Sequence, residues 1–162
     1  MPVRVGAYQT WLSWPCTAFG SWVGLNEARG CDLSAVKEEG MLHLSLAERI
    51  MQHRRAKKKK CSGENPLPSR AWKHLSKELQ AEVDGKPHYQ RKRLDQCRTN
   101  LRGPEGGLHR KATGIFSSDE DVAEAVDLQC DGSHQHELVQ GRATKLSETY
   151  TRELGMLVAR KW

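Results

Sequence analysis

No stretch of this chain approaches the run of about 20 apolar residues that a bilayer-spanning helix needs, and its N-terminal segment has no continuous apolar core like that of a secretory leader. A disulfide framework is missing as well. The five cysteines, Cys16, Cys31, Cys61, Cys97 and Cys130, are odd in number and irregularly spaced. These absences predict a protein with reduced thiols and no membrane partner, in the nucleus or the cytoplasm. Apolar residues are scarce, 37% of the chain against 28% charged, below the usual share for a globular domain, so partial disorder is expected. No internal repeat is present.

At 162 residues the chain has room for one domain with one core. The formal net charge of +6 favours polyanionic partners, and its placement is uneven. Arg54, Arg55 and Lys57 to Lys60 form a basic block, and Lys86, Arg91, Lys92, Arg93, Arg98, Arg102, Arg110 and Lys111 continue the basic character further on. Residues 117–141 hold no Lys or Arg and carry Asp119, Glu120, Asp121, Glu124, Asp127, Asp131 and Glu137. The pattern predicts one face for phosphates and an acidic face elsewhere. Residues 52–63 read as a basic loop or helix extension, and 117–162 as an acidic and then helical segment.

"VRVGAYQTWLSWP" alternates weakly and predicts a strand ending at Pro15. From Leu33 onward Val36, Gly40, Met41, Leu44, Ala47, Ile50 and Met51 recur mostly at steps of three and four, the stripe of a helix with Asp32 as its N-cap. "NPLP" breaks regular structure, and "AWKHLSKELQAEV" predicts a short helix. "HYQRKRLDQC" and "KATGIFSS" read as strands around the turn "GPEGG". Ser118 with Asp121 predicts a capping box, and a last helix from about Ser147 carries Tyr150, Leu154, Leu157 and Val158. This order predicts an α/β domain, in which ligands sit beyond the carboxyl ends of the strands, where Cys16 falls.

"PCTAF" at Pro15 to Phe19 and "ENP" at Glu64 to Pro66, in that order around a helix, resemble the two catalytic motifs of the cytosine-5 DNA methyltransferase family. The segments around "SGENPLPSRAW" and "CDGSHQHELVQG" are similar to methyltransferase-like segments in retrotransposon-type polyproteins of protists. The resemblance implies an incomplete Rossmann-like methyltransferase sheet with flanking helices and S-adenosylmethionine as cofactor. It implies Cys16 as the thiolate that attacks cytosine C6, making C5 nucleophilic, and Glu64 as the acid at the base's N3. The target base must be flipped out of its stack, with Arg91, Arg93, Arg98 and Lys111 as candidates to hold the nucleic acid.

The departures from that family are as informative. The fifteen residues up to Pro15 are expected to be too few for a glycine-rich cofactor loop, and no Gly-x-Gly-x-x-Gly or Phe-x-Gly-x-Gly occurs in this sequence. No cofactor-binding residue is assigned. Gly20 stands where Ser is common after the motif's Phe. A buried parallel strand leading to "ENP" should be almost continuously apolar, yet Lys57 to Lys60 precede it, and burying unpaired ammonium groups costs several kcal/mol. The expectation is a degenerate fragment, inactive as an isolated chain, with a second chain supplying the cofactor half. A basic nucleic-acid-binding module, zinc-stapled, and a remnant without activity stand as alternatives. The staple is a candidate Cys2His2 set in which Cys130, His134 and His136 lie within seven residues and Cys97 approaches from the preceding strand.

Overall fold

The computed structural model describes residues 8–83, 85–139, 144, 145 and 147–161. Residues 3–7 of the first predicted strand and 140–143 lie outside these. The strands are β1 (Gln9–Ser13), β2 (Lys60–Pro66), β3 (Glu82–Val83), β4 (Lys86–Pro87), β5 (Gln90–Asp95) and β6 (Ala112–Ser117). The α-helices are α1 (Ser21–Ala28), α2 (Ser34–Ala56), α3 (Lys77–Gln80), α4 (Glu120–Ala125) and α5 (Arg152–Ala159). Short 3-10 turns occupy Thr17–Phe19, Arg70–Lys73 and Gln96–Thr99.

The main sheet is four-stranded and mixed, in the order β1-β2-β6-β5. β1 and β2 pair in parallel through the α2 crossover, whereas β6 runs antiparallel to both β2 and β5. The α/β class predicted from the sequence is observed. The all-parallel pairing of a covered Rossmann-like sheet is confined to β1 and β2. β3 and β4 form a separate two-stranded ribbon.

Strand alternation divides the core between two faces. On one face Trp14, Phe19, Leu44, Met51, Trp72, Tyr89 and Phe116 pack beneath α2. On the other Leu94, Ile115, Val122, Val126, Leu154 and Val158 pack beneath α4 and α5. Neighbouring residues therefore serve opposite faces, Ile115 one and Phe116 the other. α2 buries Gly40, Leu44, Ala47, Met51 and Arg54, a stripe at steps of four and three. No helix among the described residues is long and apolar enough to cross a membrane.

The lysine run before "ENP" does not prevent a strand there. α2 continues to Ala56, the chain turns through Lys58 at a positive φ of 53°, and β2 begins only at Lys60. Residues 52–63 are thus divided between a helix end, a turn and a strand. Arg54 of the basic block is buried and donates to the carbonyls of Lys60 and Tyr8, satisfying backbone acceptors at the turn. β2 is buried from Cys61 to Asn65 although its residues are largely polar. It tolerates this because neighbours supply partners: the Ser62 and Ser117 hydroxyls lie 2.8 Å apart, and Ser118 Oγ accepts from the Cys61 N–H at 2.9 Å.

Three local expectations are corrected. Asp32 does accept the Ser34 N–H at 2.9 Å, but the residue flanking α2 is Leu33. Ser118 is occupied with Cys61, so α4 is capped by Asp119, whose carboxylate accepts the Asp121 N–H. α5 starts at Arg152 with Thr151 as its cap, which leaves Tyr150 ahead of the helix.

Candidate functional site

The parallel register places Ser13 opposite Glu64, so the carboxyl ends of β1 and β2 lie side by side. Beyond β1 the chain passes through Trp14 and Pro15 and enters the Thr17–Phe19 turn, where the Cys16 carbonyl accepts the Phe19 N–H at 2.9 Å. Across the gap, the Asn65 amide donates to the Trp14 carbonyl at 2.8 Å. The second sequence motif thereby holds the backbone that leads into the first.

Cys16 and Glu64 line one open cavity of about 300 Å³, together with Ser13, Asn65, Lys111 and Tyr150. Glu64 is only 5% exposed. Its Oε2 accepts from the Ser13 hydroxyl at 2.9 Å and from the Tyr150 hydroxyl at 2.6 Å. Both bonds fall on the same oxygen, which leaves Oε1 for a ligand that brings an N–H or O–H donor. Lys111 reaches the cavity from just before β6 while its ammonium donates to the Ser147 carbonyl at 2.7 Å. The Tyr150 hydroxyl stays protonated because burial and the nearby Glu64 both disfavour the phenolate.

The Cys16 thiol is pushed above its ordinary range by burial, an effect that Lys111 only partly offsets. Among the described residues, no imidazole lines this cavity to take the thiol proton. A nucleophilic cysteine needs the opposite environment. The cavity is lined by several polar side chains, and burial disfavours the Cys16 thiolate within it.

The sequence-derived metal set also comes together. One ligand atom from each of Cys97, Cys130, His134 and His136 lies within 4.8 Å of all the others. Cys130 Sγ is 3.7 Å from His134 Nε2 and 3.4 Å from His136 Nε2. Tetrahedral coordination with arms of about 2.0–2.3 Å gives ligand-to-ligand edges of roughly 3.3–3.8 Å, so the group could hold a metal ion with little movement. Cys97 comes from the Gln96–Thr99 turn after β5 rather than from the strand itself. The other three follow α4. Burial and the adjacent Cys130 push the Cys97 thiol up to about 11, and a bound metal would displace that proton.

Outer contacts order this group. The Gly132 N–H donates to Cys130 Sγ at 3.3 Å, and the Cys130 N–H donates to Asp95 Oδ2 at 2.9 Å. Asp95 is fully buried, and burial alone would raise its pKa. The Cys130 N–H with Arg93 and Arg110 outweighs burial and holds the carboxyl below its ordinary range.

The predicted nucleic-acid residues divide by role. Arg93 donates twice to Asp95, and Arg98 donates to the Gln129 carbonyl and Asp131, so both brace the segment that carries Cys130, His134 and His136. Arg91 lies over the Trp72 ring at 5.5 Å, and Lys111 belongs to the cavity. Of the residues not singled out from sequence, Asn65 sits inside a quoted motif and was within reach. Ser13 and Tyr150 had no local signal, because their role depends on the fold. No family model, curated protein or solved structure matches this chain.

Proposed function

We propose that this chain is a degenerate cytosine-5 DNA methyltransferase-like domain, of the kind carried by retrotransposon-type polyproteins, which binds nucleic acid and receives an unpaired cytosine without methylating it alone. The observation that carries this reading is the shared cavity of Cys16 and Glu64 at the ends of two adjacent parallel strands, β1 and β2, whose connection runs through α1 and α2. That placement is where open α/β sheets bind ligands. In this reading β1, β2, β6 and β5 are the base-binding part of a Rossmann-like sheet, and S-adenosylmethionine enters only with a second chain.

The raised Cys16 thiol favours binding over catalysis in the isolated chain. Glu64 receives the exocyclic amine of the base on Oε1, and Lys111 with Arg91 adds cationic character for the backbone. We assign zinc to Cys97, Cys130, His134 and His136, because two thiolates and two imidazoles in a compact group suit that ion.

The test is fluorescence anisotropy with duplexes that are fully paired or contain one unpaired cytosine. Wild type should bind the unpaired-cytosine duplex more tightly, and Glu64→Ala should lose that preference while keeping the salt-dependent affinity. Equal affinity of wild type for both duplexes would reduce the chain to a basic binding module.

A further inference from the structure

β5, β2 and β6 meet at one end of the sheet: Asp95 pairs with Ala112, and Pro66 pairs with Thr113. The metal-ligating group and the cavity therefore occupy the same end of the sheet, near opposite edges, with the start of β6 between them. The Gln96 N–H, next to Cys97, donates to the Lys111 carbonyl at 3.1 Å, and the buried Gln96 side chain donates to Thr113 Oγ1 at 2.8 Å. Arg110 approaches Asp95 Oδ2, the oxygen that also holds the Cys130 N–H, at 3.5 Å. Contacts thus run from Cys97 through Gln96, and from Cys130 through Asp95 and Arg110, to Lys111, which lines the cavity.

A metal held here would be closed off: four protein ligands would complete a tetrahedral site, the arrangement of structural zinc rather than of catalytic zinc with an open position. The ligating segment adds itself to the sheet edge, with the Asp95 N–H donating to the Leu128 carbonyl at 2.9 Å and the Glu137 N–H to the Leu108 carbonyl at 2.9 Å. "CDGSHQHE" offers no large apolar side chain to anchor it, so a bound metal would add to these hydrogen bonds as a fastening for the stretch.

We infer that the Cys97, Cys130, His134 and His136 centre is a closed structural lock that fixes the Gln96–Thr99 turn and, through it, holds Lys111 at the rim of the strand-end cavity. The inference rests on the zinc assignment above. It is a positioning role: the metal touches no ligand of the cavity, and its loss is felt there through Lys111.

The experiment uses the full chain, first assayed for bound metal, then compared in zinc-loaded, chelator-stripped and zinc-reloaded forms by hydrogen exchange resolved to short peptides. Stripping should release protection over 94–99, 108–113 and 128–137, spare the amides of β1 and β2, and be reversed by zinc. In parallel, cobalt loading should give a tetrahedral spectrum that added azide does not change. Stripping should also alter the alkylation rate of Cys16 in wild type but not in Lys111→Ala. A chain that takes up neither zinc nor cobalt would overturn the zinc assignment and the lock together. Metal uptake with unchanged exchange over 108–113, or a cobalt spectrum altered by azide, would leave zinc in place and overturn the lock. Loss of protection throughout β1 and β2 would replace the lock with a metal-dependent fold.

Discussion

The Tyr150 hydroxyl donates to Glu64 Oε2 at 2.6 Å across 86 residues of sequence, tying the segment before the last helix to the floor of the strand-end cavity. The same hydroxyl is approached by Trp11 Nε1 at 3.4 Å, and the two rings meet edge to face. Tyr150→Phe keeps the ring packing and deletes the donor. It should lower unfolding stability by about 1 kcal/mol in urea titration, the ordinary net worth of one hydrogen bond, because Ser13 still serves the carboxylate. It should also weaken discrimination for unpaired cytosine, since Glu64 loses one of two groups that fix its orientation. Unchanged stability would remove Tyr150 from the site.

Gly40 decides how closely α2 approaches the turn that carries Cys16. A Cβ there would lie 2.2 Å from Ala18 Cβ and 3.4 Å from the Phe19 ring. Gly40→Ala gains roughly 1 kcal/mol of helix propensity, but a contact between two short, unyielding groups brings overpacking costs of about 1–3 kcal/mol. The expected outcome of thermal unfolding is a net loss of stability, with faster alkylation of Cys16 as the turn is pushed outward. A stabilised variant would show that the helix does not seat against this turn.

Much of the fold was legible because its signals are local. The α2 stripe from Gly40 to Met51 follows helical spacing, and "ATGIFS" and "QRKRLD" coincide with β6 and β5. The charge of the lysine run argues against a strand, but Lys57 and Lys58 lie in the turn and leave the strand to start at Lys60. The polar content of β2 was equally opaque. Ser62 is suited to burial only because Ser117 sits opposite it, a pairing that no window of sequence shows. The cluster of Cys130, His134 and His136 was legible from residue type and spacing, and Cys97 joins it although 33 positions separate it from Cys130. Tyr150 was placed in the last helix by periodicity, and only the fold turns it toward Glu64.

The environment of Cys16 sets its pH behaviour. Burial raises the thiol pKa and Lys111 lowers it in part, so at pH 7 the thiolate fraction is smaller than in an unstructured peptide, whose cysteine titrates near 8.5. Iodoacetamide should modify Cys16 more slowly than such a peptide at pH 7, and the rate should keep rising at pH values where the peptide's rate has levelled off. Lys111→Ala removes the opposing charge and should slow the reaction at pH 7 further. A Cys16 faster than the peptide at neutral pH would mark an activated nucleophile.

Whether an unpaired cytosine enters the cavity of Cys16 and Glu64 is tested most directly by alkylation footprinting resolved by mass spectrometry, with exposed Cys31 as the internal control. Saturating duplex with one unpaired cytosine is expected to slow modification of Cys16 several-fold and leave Cys31 unchanged. A fully paired duplex, or one with an unpaired thymine, should give little protection. Bound DNA that leaves the Cys16 rate unaltered, whatever base it offers, would contradict the account.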